Sequence, residues 1–180
     1  THITTPSVSD ITATNLHAVK IDDDFDEFIR QKVAGWRSGS TAENSYRVSY
    51  YPIFKAVVGE LLTTQITKRH INDFINVVLS LPANKTKIAA YKDKPVLDFP
   101  KLKIPDKDKL SATSQEKYLS RIGMFLKWLR TNDYTSVELA LPLSNVKLSK
   151  KQANDKRSIY TNADLTKLFN SDIYRQGRHK

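Results

Sequence analysis

The strongest hydrophobic pattern in the chain lies in the stretch TSQEKYLSRIGMFLKWLR, which runs from Thr113 to Arg130. Its apolar residues recur at spacings of three and four, which gathers them on one side of an α-helix. Thr113 and Glu116 have the spacing of a capping box, so we expect the helix to begin at Thr113. The residues predicted to face the core are Tyr118, Leu119, Ile122, Phe125, Leu126 and Leu129.

The opposite face of this predicted helix combines four polar side chains with two large apolar ones. A face that meets only water does not need apolar side chains of this size, so the pattern favours contact with a partner. The rest of the chain has to indicate what that partner is. The residues predicted on this face are Lys117, Ser120, Arg121, Met124, Lys127 and Trp128.

Two further segments have the same helical spacing. One begins at Ile21, where the acids of DDDFDE favour a helix start because negative charge is stabilised at the N-terminal end of the helix dipole. The other begins at Thr67 and stops near Pro82. Their predicted core residues are Phe25, Phe28, Ile29 and Val33 in the first, and Ile71, Phe74, Ile75 and Val78 in the second.

A fourth helical segment lies between these two. Ser40 and Glu43 form a second capping-box spacing at its start. Pro52 lies inside the pattern, lacks a backbone N–H and collides with the preceding turn, so we expect a kink or a short break there. The predicted core residues are Tyr46, Tyr50, Ile53, Phe54, Val57 and Leu61.

The segments between the helical patterns set the predicted organisation. Residues 83–110 contain eight lysines, three prolines and little periodicity, which predicts a long surface loop inside the helical domain. Thr161 and Asp164 cap one further short helix near the end of the sequence. The predicted divisions are a loose N-terminal arm (1–20), a helical domain (21–132), a basic linker (133–158) and the start of a truncated second domain (159–180).

Positive charge is concentrated in the second half of the chain. Residues 1–80 hold 8 Lys or Arg against 9 Asp or Glu, a net charge of −1. Residues 81–180 hold 21 against 10, a net charge of +11. Such a balance attracts polyanions, of which nucleic acid is the commonest specific one for a helical protein. A lysine-rich surface that meets only water is the alternative.

The composition also excludes several classes of protein. The absence of Cys excludes disulfides, thiol catalysis and thiolate metal sites. No apolar run approaches the ~20 residues that span a bilayer, and the first residues lack the features of a signal peptide. We therefore expect a cytoplasmic protein with no membrane contact.

No catalytic or cofactor-binding motif is visible. The histidines at positions 2, 17, 70 and 179 have no metal-ligand spacing, and the five glycines form no phosphate-binding loop. The acids after Ile21 have no further ligand type nearby, so we interpret them as a helix start. The sequence predicts no metal, no cofactor and no catalytic residue in this chain.

The order of these segments resembles the N-terminal part of phage-type integrases, which are tyrosine recombinases. The resemblance covers residues 21–180 and departs from the family pattern at ELALPLSNV, where many relatives have an Asn-Pro pair. The pieces that carry it are VVGELLTTQIT, RHINDFINVVLSLPANKTK, LSATSQEKYLSRIGMFLKWL and RSIYTNADLTKLF.

The resemblance implies an all-α, four-helix core-binding domain with a SAM-like arrangement, followed by the start of the catalytic domain. In the family this domain forms half of a clamp around double-stranded DNA at the recombination site. The Thr-Gly-x-Arg motif and the nucleophilic tyrosine of the family lie later than Lys180, so this fragment is expected not to be an enzyme. The implied partners are DNA and, in a full-length integrase, its own catalytic domain and other recombinase protomers.

The residues expected to contact DNA lie on two helices and in the linker. A helix fits the major groove, where Arg and Lys reach guanine edges or phosphates. The predicted contacts are Thr41, Asn44 and Ser45 on the first helix, Lys117, Arg121 and Lys127 on the second, and Lys150, Lys151, Lys156 and Arg157 in the linker.

The alternative hypothesis is a helical protein-interaction module with a basic, solvated surface. In that hypothesis Met124 and Trp128 form an apolar patch that docks a protein partner. The two hypotheses differ in their response to salt, because DNA affinity falls steeply with salt whereas an apolar contact is nearly indifferent to it. An intact enzyme is a third hypothesis, for which the sequence offers no site.

Overall fold

The structure is a computed structural model that describes residues 18–148 and 160–175. The chain divides into two compact units, the first ending at Leu148 and the second beginning at Ser149. Every regular element in the described residues is helical, which confirms the prediction of an all-α protein. None of the described helices has the length and the apolar character that crossing a bilayer requires.

Within residues 18–148 the first unit has seven α-helices, and within residues 160–175 the second has two. Short 3₁₀ turns at Thr63–Gln65, Val96–Lys101 and Asp106–Asp108 connect some of them. The α-helices of the first unit are α1 (Ile21–Val33), α2 (Ala42–Ser45), α3 (Tyr51–Val58), α4 (Lys68–Ser80), α5 (Ala89–Lys92), α6 (Ala112–Thr131) and α7 (Leu141–Ser144); those of the second are α8 (Asn162–Asn170) and α9 (Asp172–Arg175).

A π-helical turn, Tyr46–Tyr50, joins α2 to α3 without a break. The N–H of Tyr51 donates to the carbonyl of Tyr46, five residues earlier. This wider turn directly precedes Pro52, whose ring would collide with the carbonyl four residues back in a regular helix. Of the predicted kink or short break at Pro52, the break is absent, because a π turn accommodates the proline inside a continuous helix.

The π turn also changes which residues of this helix are buried. It inserts one extra residue, so every side chain after it is rotated by one position relative to a regular helix. The fully buried residues after the turn are Tyr51, Phe54 and Val58. Tyr50, Ile53 and Val57, predicted as core, are only partly buried.

Two predicted capping boxes are absent, although their helices exist. The helix α6 is capped by Ser111, whose hydroxyl accepts from the N–H of Ser114 over 3.2 Å. The N–H of Leu110 donates to Leu81 over 2.8 Å, which holds the chain extended up to Ser111 and leaves Thr113 inside the first turn. Similarly, the carboxylate of Glu43 bonds to Arg47 instead of returning to the start of α2.

The main core is an aromatic cluster around Phe125 of α6. Its ring lies 5.4 Å from Phe25, 5.3 Å from Phe28 and 6.4 Å from Phe54, measured between centroids. The predicted core residues of α1 and α4 are buried, except Val33 at the end of α1. The hydrophobic periodicity therefore identified the helical faces that form this core.

The lysine-rich segment 83–110 is not the open surface loop that the sequence predicts. Phe99 and Ile104 are buried against Val77 and Leu81 in a second, smaller core. The lysines of the segment stay at the surface, and the ammonium of Lys85 lies 5.4 Å from the centre of the Phe99 ring. The aromatic and aliphatic side chains hold the segment in place, and two of its lysines, Lys101 and Lys109, form ion pairs with Asp98 and Asp106.

The first compact unit extends beyond residue 132, into the predicted linker. Leu139, Ala140 and Leu143 are buried in the main core, and α7 packs close to Gly123 of α6. A Cβ at position 123 would lie 3.4 Å from a methyl carbon of Leu143, so a side chain there would press on α7.

In the second unit, the N–H of Asp164 donates to the hydroxyl of Thr161 over 3.2 Å. The Asp164 carboxylate accepts in return from the N–H of Thr161 over 2.9 Å. The predicted cap of α8 is therefore confirmed. Thr67 also begins α4 as predicted, and its N–H donates to the Nδ1 atom of His70 over 3.2 Å.

Candidate nucleic-acid interface

Tyr46 joins the two helices on which the DNA-contacting residues were predicted. Its ring is buried, and its hydroxyl donates to the backbone carbonyl of Arg121 over 3.4 Å. The same hydroxyl lies 3.8 Å from the sulfur of Met124, and Trp36 stacks on the ring at 5.8 Å. Burial raises the pKa of Tyr46, so the hydroxyl keeps its proton at neutral pH and remains a donor.

The guanidinium of Arg121 is exposed and rests on this tyrosine. Its central carbon lies 5.9 Å from the centre of the Tyr46 ring, and one of its nitrogens lies 4.0 Å from the sulfur of Met124. No carboxylate of the described residues forms an ion pair with it. Arg121 therefore presents an unneutralised charge with a restrained position.

Arg47, one residue after Tyr46, shows the opposite arrangement. Its guanidinium bonds to Asp26 over 2.6 Å and to Glu43 over 2.9 Å. These two carboxylates neutralise the arginine and occupy its donors. Of these two arginines beside Tyr46, only Arg121 is available to an anionic partner.

Lys117 lies on the same side of α6 as Arg121. Residues four apart are neighbours on a helix surface, so the two cations are one turn apart. The side chain of Lys117 is exposed, and no ion pair links it to another described residue. Two unneutralised charges thus share one exposed strip at the N-terminal half of α6.

The residues predicted on the other helix lie at its start. Asn44 is exposed in α2, and Thr41 is exposed at the helix boundary. The hydroxyl of Ser45 donates to the carbonyl of Thr41 over 2.9 Å, so its proton is used within the helix. The contact between Tyr46 and Arg121 brings the π turn that follows α2 beside α6.

Lys127 lies apart from this strip. It is exposed on α6, but six residues after Arg121 its side chain points about 120° away around the helix. The structure therefore groups Lys117 with Arg121 and leaves Lys127 on another side. The predicted linker contacts, Lys150, Lys151, Lys156 and Arg157, lie outside the described residues.

Trp128 is not part of a surface patch, which corrects the sequence prediction. Only 9% of its surface is exposed, and its ring packs against Phe28 and Tyr134. Its indole N–H donates to the side-chain oxygen of Gln31 over 2.9 Å. The cause is α1, which covers the C-terminal half of α6. Of the predicted apolar patch, only Met124 remains at the surface, 40% exposed.

A cleft of about 500 Å³ opens between the π turn, α6 and the segment 83–110. Val48 and Ser49 of the π turn form one wall, and Tyr118 of α6 and Lys85 belong to the others. Neither Lys117 nor Arg121 lines this cleft. Lys85 was not among the predicted contacts, because only the folding of segment 83–110 carries one of its eight lysines to this cleft.

The exposed guanidinium of Arg121 and ammonium of Lys117, both on α6, can bind an anion. No cluster of His, Cys, Asp and Glu among the described residues could hold a metal ion. Comparisons of this chain with protein-family models, with curated proteins and with solved structures give no match.

Proposed function

We propose that the first unit binds double-stranded DNA and that the chain is the DNA-binding part of a site-specific tyrosine recombinase. The observation that carries the proposal is the exposed, unneutralised pair of Lys117 and Arg121 on α6, of which Arg121 rests on Tyr46 of the π turn after α2. In this proposal α6 and the helix from Ala42 to Val58 face the DNA. Their exposed polar side chains contact phosphates and base edges.

The pairing of charges supports this choice of face. Three acids of α1 form ion pairs with basic residues: Glu27 with Arg30, Asp26 with Arg47, and Asp22 with Lys55. On α6, Arg130 is likewise paired, with Asp133. Lys117 and Arg121 have no ion pair among the described residues, so their positive charge is left to attract phosphate.

The packing of the first unit supports the core-binding arrangement that the resemblance implies. Four helical segments surround one aromatic core: α1, the continuous helix through the π turn, α4 and α6. A SAM-like four-helix domain is therefore our proposal for its architecture. In an integrase such a domain clamps DNA at the core site during DNA integration and recombination.

The proposed role of this chain is binding without cleavage. Its sequence lacks the Thr-Gly-x-Arg motif on which the family's catalysis depends. The second unit, whose helix α8 begins at Asn162, is in this proposal the start of the catalytic domain. Recombination in the full-length integrase then also needs that domain and further protomers assembled on the DNA.

A salt titration tests the proposal. Fluorescence anisotropy of a labelled random-sequence duplex should show binding by the purified chain at low salt. If about five phosphates are contacted, the logarithm of the binding constant should fall with the logarithm of the salt concentration at a slope of about −4 to −5. Binding that is absent, or that does not change with salt, would refute the proposal.

The alternative is a protein-interaction module. The exposed walls of the cleft, including Val48 at 66% exposure, are the feature that such a module would use. An interaction of this kind buries apolar surface and depends little on salt. The salt titration therefore distinguishes the two functions directly.

A further inference from the structure

We propose that Arg121 reads a guanine base in the major groove, that Tyr46 and Met124 position it, and that Lys117 contacts only phosphate. This inference rests on the proposed DNA binding and assigns separate tasks to the two cations of the strip. It concerns sequence preference, whereas the proposed function concerns binding to duplex DNA as such. The inference can therefore fail while the proposed function stands.

The first observation is that Arg121 is restrained before any ligand binds. The Tyr46 hydroxyl holds its backbone carbonyl over 3.4 Å, and the Tyr46 ring lies under its guanidinium at 5.9 Å. The Met124 sulfur lies 4.0 Å from one guanidinium nitrogen. A side chain that is already restrained loses less conformational entropy on binding, which favours a contact of defined geometry.

The second observation is that these restraints leave the hydrogen-bonding capacity of Arg121 available. A contact with a ring face uses no strong acceptor, and a thioether sulfur is a weak acceptor. No carboxylate of the described residues occupies the guanidinium. Two parallel N–H groups of an arginine match the O6 and N7 acceptors of guanine, and the match requires the fixed orientation seen here.

The third observation is the contrast with Lys117. Its ammonium is exposed, and the described residues offer it no ion pair and no ring contact. A flexible point charge of this kind serves phosphate, which accepts from many directions, better than a base edge. The same face of α6 thus carries the restrained guanidinium of Arg121 and the unrestrained ammonium of Lys117.

Selection from a pool of random-sequence duplexes tests the assignment. The sequences bound by the parent chain should share a motif that contains a guanine. The sequences selected by the variant Arg121→Ala should no longer share that guanine but should keep the other positions of the motif. The variant Arg121→Lys should lose the guanine as well, because a lysine ammonium cannot donate two parallel hydrogen bonds. The variant Lys117→Ala should keep the whole motif while binding every sequence more weakly.

A modified base gives the sharper measurement. Replacing the selected guanine by 7-deazaguanine removes the N7 acceptor and leaves the base pair intact. The parent chain should bind the modified duplex more weakly, by part of the about 5- to 150-fold that a whole bidentate contact is worth, because the O6 acceptor remains. Arg121→Ala should bind the two duplexes equally. Tyr46→Phe keeps the ring but removes the hydroxyl, so it should show a reduced difference and an unchanged dependence on salt.

Several outcomes would overturn the assignment. A motif without guanine, or a parent chain that binds the 7-deazaguanine duplex equally well, contradicts it directly. An Arg121→Ala variant that weakens all sequences alike and keeps the guanine would make Arg121 a phosphate contact, with DNA binding itself intact. If the parent chain binds no duplex in a salt-dependent manner, the proposed function fails first, and the inference fails with it.

Discussion

The hydroxyl of Tyr46 donates to the backbone carbonyl of Arg121 over 3.4 Å, while the guanidinium of the same arginine lies 5.9 Å from the centre of the tyrosine ring. The buried tyrosine is part of the aromatic core, and the arginine is exposed. This single contact therefore ties the position of a surface charge to the packing of the core. The surface charge itself contributes little to that packing, so stability and binding can be separated by mutation.

The double variant Lys117→Ala, Arg121→Ala should keep the melting temperature of the parent and lose DNA affinity. Exposed side chains usually change the free energy of unfolding by about 0.5 kcal/mol or less. The loss of two contacts should be visible in anisotropy at low salt, with a salt slope that is less steep by about 1, because only Lys117 is assigned to phosphate.

A matched control is available at the start of α4. Lys68 and Arg69 are exposed. Changing both to alanine removes two positive charges, as the Lys117→Ala, Arg121→Ala double variant does. They belong to the first turn of α4 rather than to α6, and neither is among the predicted DNA contacts. Equal loss of affinity in both double variants would make the effect one of net charge rather than of the strip.

Trp128→Ala should destabilise the fold strongly, because Trp128 is a core residue. Replacing a buried tryptophan by alanine costs about 3 to 5 kcal/mol in the free energy of unfolding. The exposed Met124 provides the comparison, and Met124→Ala should cost about 0.5 kcal/mol or less. Urea denaturation followed by circular dichroism measures both. If both variants lost only a small part of the free energy of unfolding, Trp128 would be an exposed residue, as the sequence pattern predicted.

Acid should weaken the contact between α1 and α3 through Asp22. Burial raises the pKa of Asp22, but hydrogen bonds from Lys55 and Tyr51 outweigh it, with Lys20 also nearby, so the pKa lies below its ordinary value. A lowered carboxyl pKa stabilises the fold above the unfolded value of ~3.9, and this stabilisation is lost as the pH falls through the folded value.

The variant Asp22→Asn should therefore be less stable than the parent at neutral pH, and the difference should shrink below about pH 4. Urea denaturation over a series of pH values measures this. Asp23→Asn is the matched control, because it removes an exposed carboxylate from the same turn and leaves the contacts to Lys55 and Tyr51 intact. A difference between parent and Asp22→Asn that is constant with pH would contradict the prediction.

Much of the fold could be predicted from the sequence, because a helix is specified by residues three and four apart. The spacing of Phe25 and Phe28, or of Ile122 and Phe125, identifies the buried side of a helix without knowledge of its neighbours. The start of α8 at Thr161 is equally local, since its cap involves atoms only three residues apart. The exposed positions of Lys117 and Arg121 followed from the same periodicity.

The remaining features depend on contacts between residues far apart in the chain. Trp128 is buried because Gln31 and Phe28 of α1 cover it. The sequence pattern of α6 by itself does not indicate that α1 packs there. Phe99 becomes a core residue only when α4 packs against it. The π turn before Pro52 widens the helix by one residue, a change of backbone geometry that a regular period of 3.6 does not represent.

The candidate site shows the same division. The sequence alone determined which residues carry positive charge and which side of α6 they occupy. Only the tertiary structure decided that Arg47 is neutralised by Asp26 and that Arg121 rests on Tyr46. It also decided that Lys85 lines a cleft together with Tyr118 of α6. The physical reason is that the availability of a charge depends on the distances to its neighbours in space, and those distances arise only when the helices pack.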